Sequence, residues 1–278
     1  MQKFIFKTLR HSSKAAVSVI FILMALLAAV SNVHRAAAAG SATAIIATAD
    51  AATADSCALT PADFNKISTI QNDPSLSYTD ELKAELALRK QLLTTIITCA
   101  TNAAQTLQKT LSDLTIDPSF QNMQLQLSEN LASTINYYNL ELAKVPDAGV
   151  RGTQLIAKDV LDWRESNYTP LAANVSNFIL WSQNQALFAA AGNRLAQVTE
   201  LAQSVPFSDN ADLKADLQAA STSLKTAQDA NAAAKDTLAH LTYPDPSLGY
   251  IQQSLAALSD TYQHFFDIAS LVQTLLPH

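Results

Sequence analysis

The chain has 278 residues, 49% of them hydrophobic and 7% aromatic, which predicts one or two domains with a sizeable core. The first 39 residues hold five of the 18 basic residues and no acid, so the remainder has 13 basic and 24 acidic residues and a net charge of −11. An acidic surface repels phosphate groups, which argues against a nucleic-acid partner.

Residues 1–39 have the three parts typical of a secretory signal peptide. Basic residues precede an apolar run, Ala15 to Val30, in which Ser18 is the one polar residue, and a stretch of small residues, Ala36 to Gly40, follows it. An uncleaved N-terminal anchor is the alternative, because the run lies at the short edge of a membrane span. Either way we expect an extracytoplasmic chain, secreted, periplasmic or at the cell surface, and the pattern has a bacterial character.

The rest of the chain divides by composition into a leader and a folded part. Residues 40–56 are rich in Ala and Thr and predict a flexible leader. Residues 57–276 repeat apolar positions at helical spacings, and the whole chain has only five Gly. We therefore predict an all-α fold, an elongated antiparallel bundle of about six to seven helices that ends in a coiled-coil-like hairpin.

Two helices open the bundle. Thr60 and Pro61 predict an N-cap and first residue of a helix that ends near residue 71. Thr79 is predicted to cap a second helix that ends near residue 113. The intervening turn makes the two helices an antiparallel hairpin.

The two cysteines, Cys57 and Cys99, lie at matching levels of that hairpin. Each is roughly 30 Å from the turn, counted along the chain at helical and extended rises. We predict a structural disulfide, since the pair lacks the C-x-x-C spacing of redox-active cysteines. On the same helix, Glu85 and Arg89 are predicted to form an ion pair on the solvent side.

The middle of the sequence contains the strongest helix-breaking stretch. Residues 146–152 include Pro and Gly and are the best candidate for an internal domain boundary. A short helix follows, and Thr169 with Pro170 is predicted to cap or kink the chain into a long helix that ends near Val205. Gly192 within that helix predicts a close crossing with another helix.

The last two helices have the clearest pattern, with apolar residues at alternating spacings of three and four. The first seam consists of Leu213, Leu217, Ala220, Leu224, Ala227, Asn231, Ala234, Leu238 and Leu241. The second consists of Leu248, Ile251, Leu255, Leu258, Tyr262, Phe265, Ala269, Val272 and Leu276. A short Pro-rich turn joins them, which predicts an antiparallel coiled-coil hairpin with Asn231 fixing its register.

The sequence contains no recognisable catalytic, metal-binding or nucleotide-binding motif, so we predict that the protein is not an enzyme and binds no cofactor. Two histidines of the hairpin could serve as ligands, but pairing about the turn places His240 near Gly249 and His264 near Lys225. They would not converge, so we expect no metal site.

Aromatic residues concentrate in the middle third of the chain. Trp163, the adjacent Arg164 and Trp181 form a candidate patch for a ligand or a partner. The alternative is that these rings fill the widest part of the core.

The function predicted from these features is a non-enzymatic interaction or structural module that binds another protein, or itself, through helices. A small-molecule-binding or sensing bundle is the alternative. A membrane would be a partner only if the N-terminal segment stays uncleaved.

Overall fold

A computed structural model of the chain describes Cys57 and residues 61–203, 209–240 and 246–275. All of them belong to one compact unit that begins at Ala52. The predicted signal peptide, the predicted leader and the predicted cap Thr60 lie outside the described residues.

The described residues form seven α-helices and no strand, which confirms the all-α bundle of about six to seven helices. The α-helices are α1 (Pro61–Gln71), α2 (Tyr78–Ser112), α3 (Gln121–Lys144), α4 (Val150–Trp163), α5 (Thr169–Ala202), α6 (Ala211–His240) and α7 (Ser247–Leu275). A 3-10 turn, Pro118–Phe120, precedes α3, and a π-helical turn, Arg164–Tyr168, joins α4 to α5. The longest, α2, has 35 residues and a length of about 50 Å. Within the ranges described, a helix apolar enough to cross a membrane is not found.

The cap of α2 differs from the predicted one. Ser77, not Thr79, is the N-cap, and its hydroxyl accepts a hydrogen bond of 3.2 Å from the backbone N–H of Asp80. Ser77 has the extended backbone that a cap requires, and its hydroxyl also lies 2.6 Å from the Asp80 carboxylate. Several hydroxyl residues precede this helix, so composition alone did not identify the one that caps it.

Glu85 of α2 is buried, so its predicted place on the solvent side is wrong. Its carboxylate lies 2.6 Å from the Arg89 guanidinium, and it also interacts with Gln71 at the end of α1. Burial of the carboxylate raises its pKa, but the hydrogen bonds from Arg89 and Gln71 outweigh that effect and leave the pKa below its usual value. The pair therefore helps to hold α1 against α2.

Helices α4 and α5 are continuous through the π-helical turn. The backbone N–H of Thr169 donates to the carbonyl of Arg164, five residues earlier. Pro170 has no N–H and its ring crowds the carbonyl four residues before it, which explains the local widening of the helix at the predicted cap or kink. The helix ends at Ala202, three residues before the predicted end at Val205.

Gly192 does not mark a close helix crossing, so that prediction is wrong. A Cβ atom built at this position would meet nothing within 4 Å. Neighbouring helices approach α5 at Phe188 and Ala191 instead, where both side chains are buried.

Helices α6 and α7 pack against each other more extensively than any other pair in the described residues, as the hairpin prediction requires. The core is wider than a two-helix seam because α5 packs on both. One cluster joins the three helices, and its buried members are Phe188, Ala191, Leu224, Ala227, Ala257 and Leu258. Ser254 and Thr261 are also fully buried, and each hydroxyl donates to a backbone carbonyl of α7.

Asn231 is half-buried and bonds to α5 rather than to α7. Its side chain and that of Gln185 exchange two hydrogen bonds of 3.1 Å. The predicted polar register marker of the hairpin is therefore a link between α5 and α6.

Candidate functional site

The predicted disulfide between Cys57 and Cys99 is present. The two Cα atoms are 5.5 Å apart, and Cys57 is buried. The bond ties the segment before α1 to a point about two thirds along α2, as the hairpin geometry predicted. Both cysteines of the chain are used in this way, which leaves no free thiol.

Trp163 lies at the end of α4 and stacks on Tyr137 of α3. The ring centroids are 4.1 Å apart and the planes are inclined by 18°. The Tyr137 hydroxyl donates a hydrogen bond of 3.0 Å to the carbonyl of Asp159, which fixes α3 against α4. This aromatic stack is thus a helix–helix contact.

Two buried tyrosines lie beside that stack. Tyr138 and Tyr168 are in edge contact, with ring centroids 6.0 Å apart. Burial raises the pKa of both hydroxyls, and the positive charge of Arg164 partly opposes the rise. Both hydroxyls and the indole nitrogen of Trp163 are buried without a hydrogen-bond partner among the described residues. Buried polar groups of this kind usually bond to ordered water or to a ligand.

Trp181 occupies a different part of the core. It is 2% exposed, and its ring meets Phe120 edge to face at a centroid distance of 4.5 Å. Its indole N–H donates a hydrogen bond of 3.2 Å to the backbone carbonyl of Asn231. The ring of Trp181 is packed against other side chains and its N–H has a hydrogen-bond partner, as is typical of a tryptophan in a protein core.

The candidate patch therefore separates into two places. Trp163 and Trp181 are 18 residues apart on one continuous helical run, a distance of about 27 Å. Arg164 remains with Trp163, and its charge acts on Tyr138 and Tyr168. At the Trp163 end, the indole nitrogen and the two tyrosine hydroxyls are buried polar atoms that could face a bound molecule.

A second group of polar side chains, not anticipated from the sequence, lies between α6 and α7. Asp216, His264 and Asp267 place one ligand atom each within 4.8 Å of one another. His264 Nδ1 is 3.5 Å from Asp216 Oδ1. Lys225, the predicted neighbour of His264, lies nine residues beyond Asp216 on α6, or about 13 Å along the helix. The prediction assumed that the helices pair symmetrically about their turn, and the actual longitudinal offset brings an acid to the imidazole.

Asp216 and Asp267 border an open cleft near the start of α6 and the end of α7. Its polar lining comprises Asp212, Asp216, Asp267, Ser270 and Thr274. The sequence signal for this group was H-x-x-D at 264–267, which puts both side chains on one face of a helix.

Comparison of the chain with protein-family models, with curated proteins and with solved structures gave no match.

Proposed function

We propose that this chain is exported and that its helical bundle acts without catalysis, as a module that binds another protein or a second copy of itself. The observation that carries the proposal is a set of exposed leucines on two consecutive helices. Leu125 and Leu140 of α3 and Leu155 and Leu161 of α4 are each more than half exposed. Large apolar side chains in contact with water are stabilised when a partner covers them.

The disulfide supports the extracytoplasmic part of the proposal. Structural disulfides persist in oxidising compartments and are rare where thiols are kept reduced. The bond agrees with the export signal predicted for residues 1–39.

Site-specific photo-crosslinking in the native host tests whether a partner covers these leucines. A photoreactive amino acid replaces Leu140 or Leu155, and the control replaces Lys225, whose side chain is 73% exposed on α6. We expect an adduct of one defined mass from the two leucine positions and none from the control. Equal adducts at all three positions, or only monomer, would contradict the proposal.

Intact mass of the protein from the same host tests export. We expect the mass of a chain that lacks about 39 residues, with a gain of two hydrogens on reduction. A full-length chain with free thiols in the cytosolic fraction would exclude an exported, disulfide-bonded protein.

A second candidate function is binding of a small polar molecule at the Trp163 end of the core. The buried indole nitrogen and tyrosine hydroxyls without partners favour it. The chain has two tryptophans, so Trp181→Phe leaves Trp163 as the only indole reporter and Trp163→Phe leaves Trp181. A ligand of this site should shift the fluorescence of the first variant and leave that of the second unchanged. Equal shifts in both would reject binding at this site.

A further inference from the structure

We infer that Asp216, His264 and Asp267 form a binding site for a divalent zinc ion between α6 and α7. The site is independent of the proposed binding surface on α3 and α4. The two helices bring together one imidazole nitrogen and two carboxylates, all within 4.8 Å.

The ligand set selects the metal. One nitrogen and two carboxylate oxygens suit Zn²⁺, whereas Ca²⁺ and Mg²⁺ prefer oxygen ligands alone. Zinc binds these atoms at about 2.0–2.2 Å, so neighbouring ligands are roughly 3.3 Å apart. The 3.5 Å between His264 Nδ1 and Asp216 Oδ1 is already near that value. The third ligand can close the remaining distance by side-chain rotation at the helix surface.

The imidazole is placed to accept a metal. His264 Nδ1 is buried, and its contact with Asp216 Oδ1 at 3.5 Å lacks hydrogen-bond geometry. A buried ring nitrogen gains a strong partner when an ion enters.

The carboxylates provide the charge and the orientation. Asp212 lines the same cleft as Asp216 and Asp267, so three negative groups lie along one cleft. A cation relieves their mutual repulsion. The Gln263 amide donates a hydrogen bond of 3.1 Å to Asp267 Oδ1, which orients this carboxylate and leaves its second oxygen for the metal.

The arrangement leaves room for a fourth ligand. Three protein ligands around an open cleft correspond to a zinc ion with a water or an exogenous group in its remaining position. Ser270, one turn beyond Asp267, lines the same cleft, and its hydroxyl can bond to that water.

Isothermal titration of the full chain with Zn²⁺ tests the inference. The variants Asp216→Asn and His264→Gln each remove one ligand with little change of size. The matched control is His240→Gln, because His240 lies on the same hairpin, with its Nδ1 2.6 Å from the carbonyl of Asp236. Circular dichroism confirms that each variant keeps its helices.

We expect a zinc site whose affinity falls about 10-fold or more in His264→Gln and Asp216→Asn and is unchanged in His240→Gln. Zinc should also raise the melting temperature of the wild type and not that of His264→Gln. Equal zinc affinity in His264→Gln and the wild type overturns the inference, as does the absence of zinc binding to the wild type. Equal binding of Ca²⁺ and Zn²⁺ overturns the assignment of the imidazole as a ligand.

Discussion

Loss of the Cys57–Cys99 bond should destabilise the bundle by a predictable amount. The bond closes a loop across a sequence separation of 42 residues. In the loop-entropy model, a cross-link of this span lowers the entropy of the unfolded chain enough to stabilise the fold by about 4 kcal/mol. The perturbation is the paired substitution Cys57→Ala and Cys99→Ala, which removes the cross-link and leaves no thiol behind.

Urea unfolding followed by circular dichroism measures the effect. With a slope of about 3 kcal/mol per molar urea, a loss of about 4 kcal/mol moves the midpoint down by about 1.3 M. A reducing agent should lower the wild-type midpoint by a similar amount and leave that of the paired variant unchanged. This second comparison separates the cross-link from the packing of Cys57, which is buried.

A midpoint that moves by less than about 0.3 M, with an unchanged slope, would refute the reasoning. It would mean that the unfolded chain is already restricted to the same extent without the bond. A reducing agent that also destabilises the paired variant would show that it acts on something other than the disulfide.

Four further predictions follow from individual side chains. Gly192→Ala should stabilise the protein by about 1 kcal/mol in urea unfolding, because the added Cβ meets nothing within 4 Å and alanine favours helices; a loss would contradict the open space. Trp181→Phe should cost about 2 kcal/mol through the lost hydrogen bond to α6 and the lost volume, and an unchanged midpoint would contradict its role in the core. A double-mutant cycle of Gln185→Ala and Asn231→Ala should show a coupling of about 1 kcal/mol, whereas additive losses would mean that the amide pair contributes nothing. The folded-state pKa of Glu85 is lowered, so its contribution to stability should be fully present above about pH 4.3 and be lost as the pH falls through the lowered value. Glu85→Gln should therefore flatten the acidic part of a plot of unfolding free energy against pH. An identical plot for the variant and the wild type would contradict this role of Glu85.

The sequence predicted those features that depend on local pattern. Pro61 and the apolar spacing located the helices, and the counted lengths of the first hairpin located the disulfide between Cys57 and Cys99. These inferences need only the rise of a helix and the length of a turn. They do not depend on how distant elements are arranged.

The features that it missed depend on which helices meet and at what offset. Glu85 was expected in solvent because an i,i+4 ion pair is usually exposed, but α1 covers it. Asn231 was placed in the hairpin seam because its spacing fits, but α5 occupies that side of α6. The approach of His264 to Asp216 depends on the longitudinal offset of α6 and α7, which helical periodicity does not encode.

The uninterrupted helical run from Val150 to Ala202 bears on how the bundle unfolds. About a third of the way along it, Tyr168 contacts Tyr138 of α3, and further along, Trp181 bonds to α6. A single rod thus packs against α3 and against α6, and neither α3 nor α6 can separate from the bundle without exposing part of it. Amide hydrogen exchange should accordingly report one cooperative block from α3 to α7, and cleavage of the chain within residues 146–152 should leave two fragments that remain associated.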